Sequence, residues 1–295
     1  AWVHAFEAKA EEVAHVVTLG RTQLQDAVPM TLGQELGAFA TSLRQELQGL
    51  HRARGDLLTF NIGGTAIGTR LNAPKGYPER AIERLREVTG LQVVLATDLI
   101  EATQDTQAFV MFSSALKSLA IKLSKICSDL RLLSSGPRSG LGEIQLPPRQ
   151  PGSSIMPGKV NPVIPEVVNQ VAYRVIGNDH AVTMAAEAGQ LQLNVMEPVI
   201  AASILESLKI LANAVTTLRQ NCVNGVVANE AQCRAFVENS IGLVTALVPV
   251  LGYGTASSVA AEALASGKSL ADVLRDRDLF SDEIAAALSP ERMAN

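Results

Sequence analysis

Between residues 151 and 166 the chain reads P-G-S-S-I-M-P-G-K-V-N-P-V-I-P-E. Ser153, Ser154, Lys159 and Asn161 share this one stretch, and together they bring two hydroxyls, an ammonium and a carboxamide. Asn161 directly ahead of Pro162 is a helix-start signal, a capping residue followed by proline at the first helical position. Lys159 then stands just before a helix N-terminus, where unpaired N–H groups and the helix dipole add to its charge. Such an arrangement suits a carboxylate or a phosphate. Glu166 falls in or near the first turn, where a carboxylate complements the dipole. Taken singly, each residue has an ordinary explanation as a cap or a solvated charge. Their concentration on one loop is what points to a site.

The elements that must position these residues follow from the breakers and from periodicity. Prolines at 151, 157, 162 and 165 exclude a regular helix or central strand through the stretch, and Gly152 and Gly158 free the backbone at its joints. A stiffened polar loop is therefore expected, fed by the Gly/Pro-rich Ser134–Pro151. Helices are expected from Pro162 to Glu187 and from Ala188 to Cys222, with Pro198 kinking the second. A second polar connection, Thr18–Pro29, carries Arg21, Thr22, Gln23, Gln25 and Asp26. Arg21 reads as an ion-pairing or carbonyl-binding residue, and Gln25 and Asp26 read as local hydrogen-bond formers. Thr31-Leu32-Gly33-Gln34 after it is a capping-box pattern that starts a helix running to about Phe60. Both polar stretches thus end at helix N-termini.

Elsewhere Ala1–Val17 reads as the end of an amphipathic helix, and another helix lies near Pro78–Thr89. Asp98–Leu133 reads as one long helix, apolar on several faces as in the middle of a bundle. The G-G-T-A-I-G run at Gly63–Gly68 follows a helix rather than a strand, which excludes a dinucleotide cradle. Little reads as strand. The fold class expected is mostly α: a central bundle of long helices over 1–228, N-terminally incomplete, and a small domain of short helices over 229–295.

The net charge of −4 has both signs interspersed and gives no nucleic-acid footprint. Cys127, Cys222 and Cys233 have neither metal spacing nor an even disulfide set, which fits a reducing cytoplasm. Four scattered histidines lack ligand spacing, so no metal is expected. No secretory pattern is present, and the apolar run Ile241–Gly254 is broken by Pro249 and too short to cross a bilayer. Neither nucleic acid nor membrane is an expected partner.

G-S-S-I-M-P-G-K-V-N-P at Gly152–Pro162 resembles the signature loop of the aspartase/fumarase superfamily. G-R-T-Q-L-Q-D-A-V-P at Gly20–Pro29 resembles a second signature region, and the run from Val167 through Val199 resembles the aspartate ammonia-lyase branch. The resemblance implies reversible anti-elimination of ammonia from L-aspartate to give fumarate, without a cofactor. Ser153 is implied as the base at Cβ, and Thr22, Gln23, Ser154, Lys159 and Asn161 as substrate-binding residues. It also implies a homotetramer with shared active sites built from three subunits.

Gln23 stands where fumarases and some aspartases carry His. Glutamine does not titrate, so a relay to Glu166 through this position is not available, and Glu166 reads as structural. A class II fumarase acting on L-malate and a catalytically silent structural relative are the alternatives. Superfamily relatives carry a long N-terminal part with a further signature region, so the chain is expected to be a fragment. Alone it is expected to have little or no activity.

Overall fold

The computed structural model describes residues 2–150, 156 and 159–294. The first half runs α1 (Trp2–Glu12), β1 (Val17–Thr22), β2 (Gln25–Thr31), α2 (Leu32–Asp56), β3 (Thr59–Phe60), α3 (Tyr77–Thr89), β4 (Val94–Leu95), α4 (Glu101–Gln104) and α5 (Gln107–Leu133). The second half runs β5 (Ile144–Gln145), α6 (Val163–Glu187), α7 (Glu197–Asn221), β6 (Val227–Ala228) and α8 (Glu230–Asn239). A 3-10 segment (Ile241–Leu247), α9 (Val248–Leu251), α10 (Tyr253–Ser266), α11 (Leu270–Asp276), α12 (Asp282–Ala287) and α13 (Pro290–Met293) complete it. The fold is mostly α, as expected. Its contacts divide it into Ala1–Thr41 with Asp129–Ile164 and Arg219–Asn295, and Ser42–Ser128 with Pro165–Leu218. This division differs from the sequence boundary at 228/229, and α2, α5, α6 and α7 each contribute residues to both units.

In the second unit the long helices bury apolar stripes, with Leu116, Leu119 and Leu123 on α5, Val168, Val175 and Val182 on α6, and Ile200 and Leu211 on α7. Each fully buried side chain of this kind contributes about 1.5–3 kcal/mol. Polar groups on two faces of α6 are matched rather than excluded. Towards α5, buried Asp179 accepts from Ser113 Oγ at 2.9 Å and meets Lys117 Nζ at 2.5 Å, and Asn169 donates to Ser124 O at 2.9 Å. Towards α7, Asn178 donates to Ser203 O, Glu206 Oε2 and Ser207 Oγ at 3.3, 2.9 and 3.1 Å. Sliding either neighbour by a turn would strand these groups, so the bundle register is specified.

Two helices begin later than the periodicity suggests. The expected helix Asp98–Leu133 breaks at Asp105, whose extended backbone (ψ 140°) ends α4 and whose carboxylate accepts from Gln107 N at 2.9 Å to start α5. The expected helix from Ala188 begins only at Glu197, so Pro198 sits in the first turn and does not kink it. Asn194, 1% exposed, explains the delay. Its amide donates to the carbonyls of Ala185 and Ala186 at 3.0 and 3.2 Å, closing the end of α6, and its oxygen accepts from Met196 N at 2.8 Å. By length and apolarity α7 could cross a membrane, with a most apolar window of mean hydropathy 1.5. Its Ser203, Glu206 and Ser207 are nevertheless partners of Asn178 on α6.

In the first unit the capping box forms as read: Gln34 N donates to Thr31 Oγ1 and Thr31 N to Gln34 Oε1, both at 3.0 Å. The helix it starts ends at Asp56 rather than Phe60. The polar connection Thr18–Pro29 is a β-hairpin, not a loop. Leu19 of β1 enters a buried cluster with Val237, Leu247, Val259, Val273 and Ile284 of the C-terminal helices. Three of those short helices, α8, α11 and α12, start at side-chain caps of their own. Asn229, Ser269 and Ser281 accept from the N–H groups of Gln232, Asp272 and Ile284, and Gly267 closes α10 at φ 68°.

Candidate active site

The hairpin that carries Thr22 and Gln23 is irregular twice. Its pairing runs Leu19↔Pro29 and then Arg21↔Asp26, so Ala27 and Val28 together oppose Gly20 as a bulge. At its tip Thr22 pairs with Gln25 across the two residues Gln23 (φ 54°) and Leu24 (φ 62°). Two central residues at positive φ make a type I′ turn, which normally takes Asn-Gly. Side-chain-bearing residues there cost roughly 1–2 kcal/mol each. Backbone strain of this kind persists only where surrounding contacts hold it, and it collects at functional sites. Thr22 and Gln23 are both exposed.

Contacts at the base of the hairpin supply the hold. Glu143, 1% exposed, receives Thr18 Oγ1 on Oε2 at 3.2 Å and meets Arg21 Nη2 on Oε1 at 2.5 Å. The arginine contact is a charge contact, off line for a hydrogen bond. Arg21 also donates to Leu19 O at 3.3 Å, and its guanidinium lies 5.1 Å from the Phe236 ring centre. It is thus both ion-pairing and carbonyl-binding, as its type suggests. Asp26 accepts from Ser240 Oγ at 3.0 Å, a tertiary bond rather than the local one expected. Gly242 lets β2 lie close, because a Cβ there would meet Ala27 O at 2.0 Å.

At the end of the signature loop Lys159 is exposed, and its N–H donates to Met156 O at 3.2 Å. Asn161 O accepts from Val163 N at 2.9 Å where α6 begins, one residue past the expected start at Pro162. Glu166 does lie in the first turn of α6. Ser153 and Ser154 lie outside the described residues. Among the described residues, no side-chain hydrogen bond or ion pair joins Thr22 or Gln23 to Lys159 or Asn161, and no group of three His, Cys, Asp or Glu could hold a metal. Burial pushes the Cys222 thiol up to about 12, and burial followed by the Glu143 charge pushes Cys233 up to about 11. Neither is a nucleophile at neutral pH.

Glu143 and Thr18 escaped the sequence reading. The one hint was a lone carboxylate between apolar residues in Leu141-Gly-Glu-Ile144, a pattern that suits a buried, paired acid.

Hairpin, signature loop and intervening helices all fall within residues 2–177, which match the lyase family. The chain belongs to that family. Residues 243–295 match the fumarase C C-terminus, so the family matches reach both ends of the fold, and the superfamily resemblance of the signature loop is met. Over 293 residues, 99% of its length, the chain is 59% identical to an aspartate ammonia-lyase of Pseudomonas canavaninivorans, of which it covers 62%. It superposes with a TM-score of 0.97 on a cobalt-bound fumarate lyase (delta crystallin) from Brucella melitensis, at 56% identity, covering 100% of this chain and 64% of that one. On a class II fumarase from Schistosoma mansoni the TM-score is 0.93 at 32% identity, covering 99% and 64%. The chain thus spans less than two thirds of the length of the relatives it matches.

Proposed function

We propose that this lyase catalyses the reversible anti-elimination of ammonia from L-aspartate to give fumarate. The observation that carries the reading is the contrast in similarity: 59% identity to an aspartate ammonia-lyase over 99% of the chain, against 32% to a class II fumarase over the same span. Gln23 agrees with it, since the position lacks the titratable histidine of fumarases.

The chemistry requires a base at Cβ and donors for the charge that develops on the neighbouring carboxylate. Ser153, as alkoxide, takes the Cβ proton. The freed electron pair forms the Cα–Cβ double bond as the C–N bond breaks, and ammonia leaves. The difficult species is the carbanion, delocalised into the β-carboxylate with two negative charges. Lys159 and Asn161, ahead of the N-terminus of α6, hold a substrate carboxylate together with Thr22, Gln23 and Ser154. Glu166, in the first turn of α6, serves the helix dipole.

Large apolar side chains exposed on the long helices, among them Tyr173, Met184 and Leu205, support a homotetramer with shared active sites. Free, buried cysteines suit a reducing cytoplasm.

The test is the ultraviolet absorbance of fumarate, followed with the intact native protein on L-aspartate and on L-malate. Fumarate is expected from L-aspartate and not from L-malate; the reverse pattern makes the protein a fumarase. No fumarate from either makes it a silent relative. Ser153→Ala is expected to lower turnover on aspartate about 10²-fold or more with assembly unchanged, and unchanged turnover removes Ser153 from the mechanism.

A further inference from the structure

We infer that Glu143 is a positioning residue for the substrate-gripping turn: from beneath the hairpin it holds Thr18 and Arg21, and thereby sets the direction in which Thr22 and Gln23 present their donors. The inference rests on the reading of Gln23 as a carboxylate donor. A carboxylate 1% exposed is costly to bury, and a well-packed apolar substitute for an ion pair is often as stable or more so. Stability alone therefore gives little reason for an arginine–glutamate pair at this place. Geometry gives a better one.

Glu143 is itself anchored through its backbone. Its N–H donates to Leu133 O at 2.9 Å at the end of α5, and its carbonyl accepts from Asn229 N at 2.8 Å and Cys233 Sγ at 3.5 Å. The neighbouring Gly142 O accepts from Asn229 Nδ2 at 3.0 Å, and β5, which starts at the next residue, pairs Ile144 with Ala228. The carboxylate is a fixed post, and the hairpin is attached to it. Thr18 and Arg21 are three apart, so on a regular strand they would face opposite sides. Both nevertheless reach the one carboxylate, the arginine by the length of its side chain.

Arg21 directly precedes Thr22, and the two positive-φ residues follow at once. A strained turn holds its shape only if its base is held, and here the base is held by Glu143. Loss of the post would let the turn relax, displacing the Gln23 amide without removing it.

The experiment is steady-state kinetics of the intact native enzyme on L-aspartate for Glu143→Gln, Gln23→Ala and the double variant, with Arg21→Lys and Thr18→Val in parallel. Glu143→Gln is expected to raise KM about tenfold, the loss from misaligning one hydrogen bond to a charged carboxylate, with kcat within about twofold. The double variant is expected to be no worse than Gln23→Ala alone, because Glu143 acts only through the turn. If Gln23→Ala leaves KM unchanged, the reading of Gln23 fails and this inference with it. If Gln23→Ala raises KM while Glu143→Gln does not, or if the two effects multiply, the positioning role alone is overturned. Should Glu143→Gln not fold, Arg21→Lys and Thr18→Val carry the same test with the same outcomes.

Discussion

Leu24 offers a test of the strained tip in which the usual order of two substitutions reverses. In most contexts glycine is less stable than alanine by about 0.4–1 kcal/mol, because it has more freedom to lose on folding. At Leu24 the backbone has φ 62°, where a Cβ costs about 1–2 kcal/mol and glycine pays nothing. Leu24→Gly should therefore be more stable than Leu24→Ala by about 1 kcal/mol. The leucine is 69% exposed, so either substitution loses only about 0.5–1 kcal/mol of apolar contact. The glycine variant should accordingly lie near the parent protein and the alanine variant clearly below it. In thermal melts followed by circular dichroism the gap between the two is expected to be about 2–4 °C, and urea midpoints should rank the same way. Equal or greater stability of the alanine variant would refute a left-handed backbone at residue 24. Relaxing the tip should also loosen the aim of Gln23, so KM for L-aspartate is expected to rise in the glycine variant although stability does not fall.

Further outcomes follow from single contacts. Asn194→Ala strands two carbonyls and the Met196 N–H in a buried place, and should cost about 2–4 kcal/mol in urea unfolding. Gly242→Ala puts a methyl group 2.0 Å from Ala27 O, and about 3 kcal/mol of lost stability should appear with faster amide exchange in β2. Cys222 and Cys233, pushed up to about 12 and about 11 from 9.0, should resist thiol reagents at pH 8 until the protein is unfolded. For the same reason stability should fall as pH climbs above about 9, where unfolded thiols release protons that the folded ones keep until about 11–12. Urea unfolding at pH 7 and pH 10 checks the sign.

Features governed by neighbours in sequence were legible without coordinates. The Thr31/Gln34 box, the placement of Glu166 in the first turn of α6 and the succession of short helices after residue 229 are each decided within a few residues. The signature loop was legible for another reason: its dense set of Ser, Lys, Asn, Gly and Pro has little use in a packed core. Arg21 was read as a structural pairing residue from its type, though the identity of its partner was not.

Only the tertiary structure decided the hairpin, the late start of α7 and the partners of Glu143. The G-R-T-Q-L-Q-D stretch lacks both alternation and the Asn-Gly turn of a typical hairpin, so nothing local marks it as strand. Its stabilising partners are remote, with Glu143 125 positions from Thr18 and Ser240 214 positions from Asp26. Asn194 likewise falls inside the helix expected from Ala188, until the end of α6 is seen to need its two donors. Helices and caps are closed by hydrogen bonds three or four residues apart, whereas strand pairing and buried charge depend on what the chain brings back from far away. In this protein the caps and helix starts were written in the first kind of signal, and the contacts that hold the hairpin in the second.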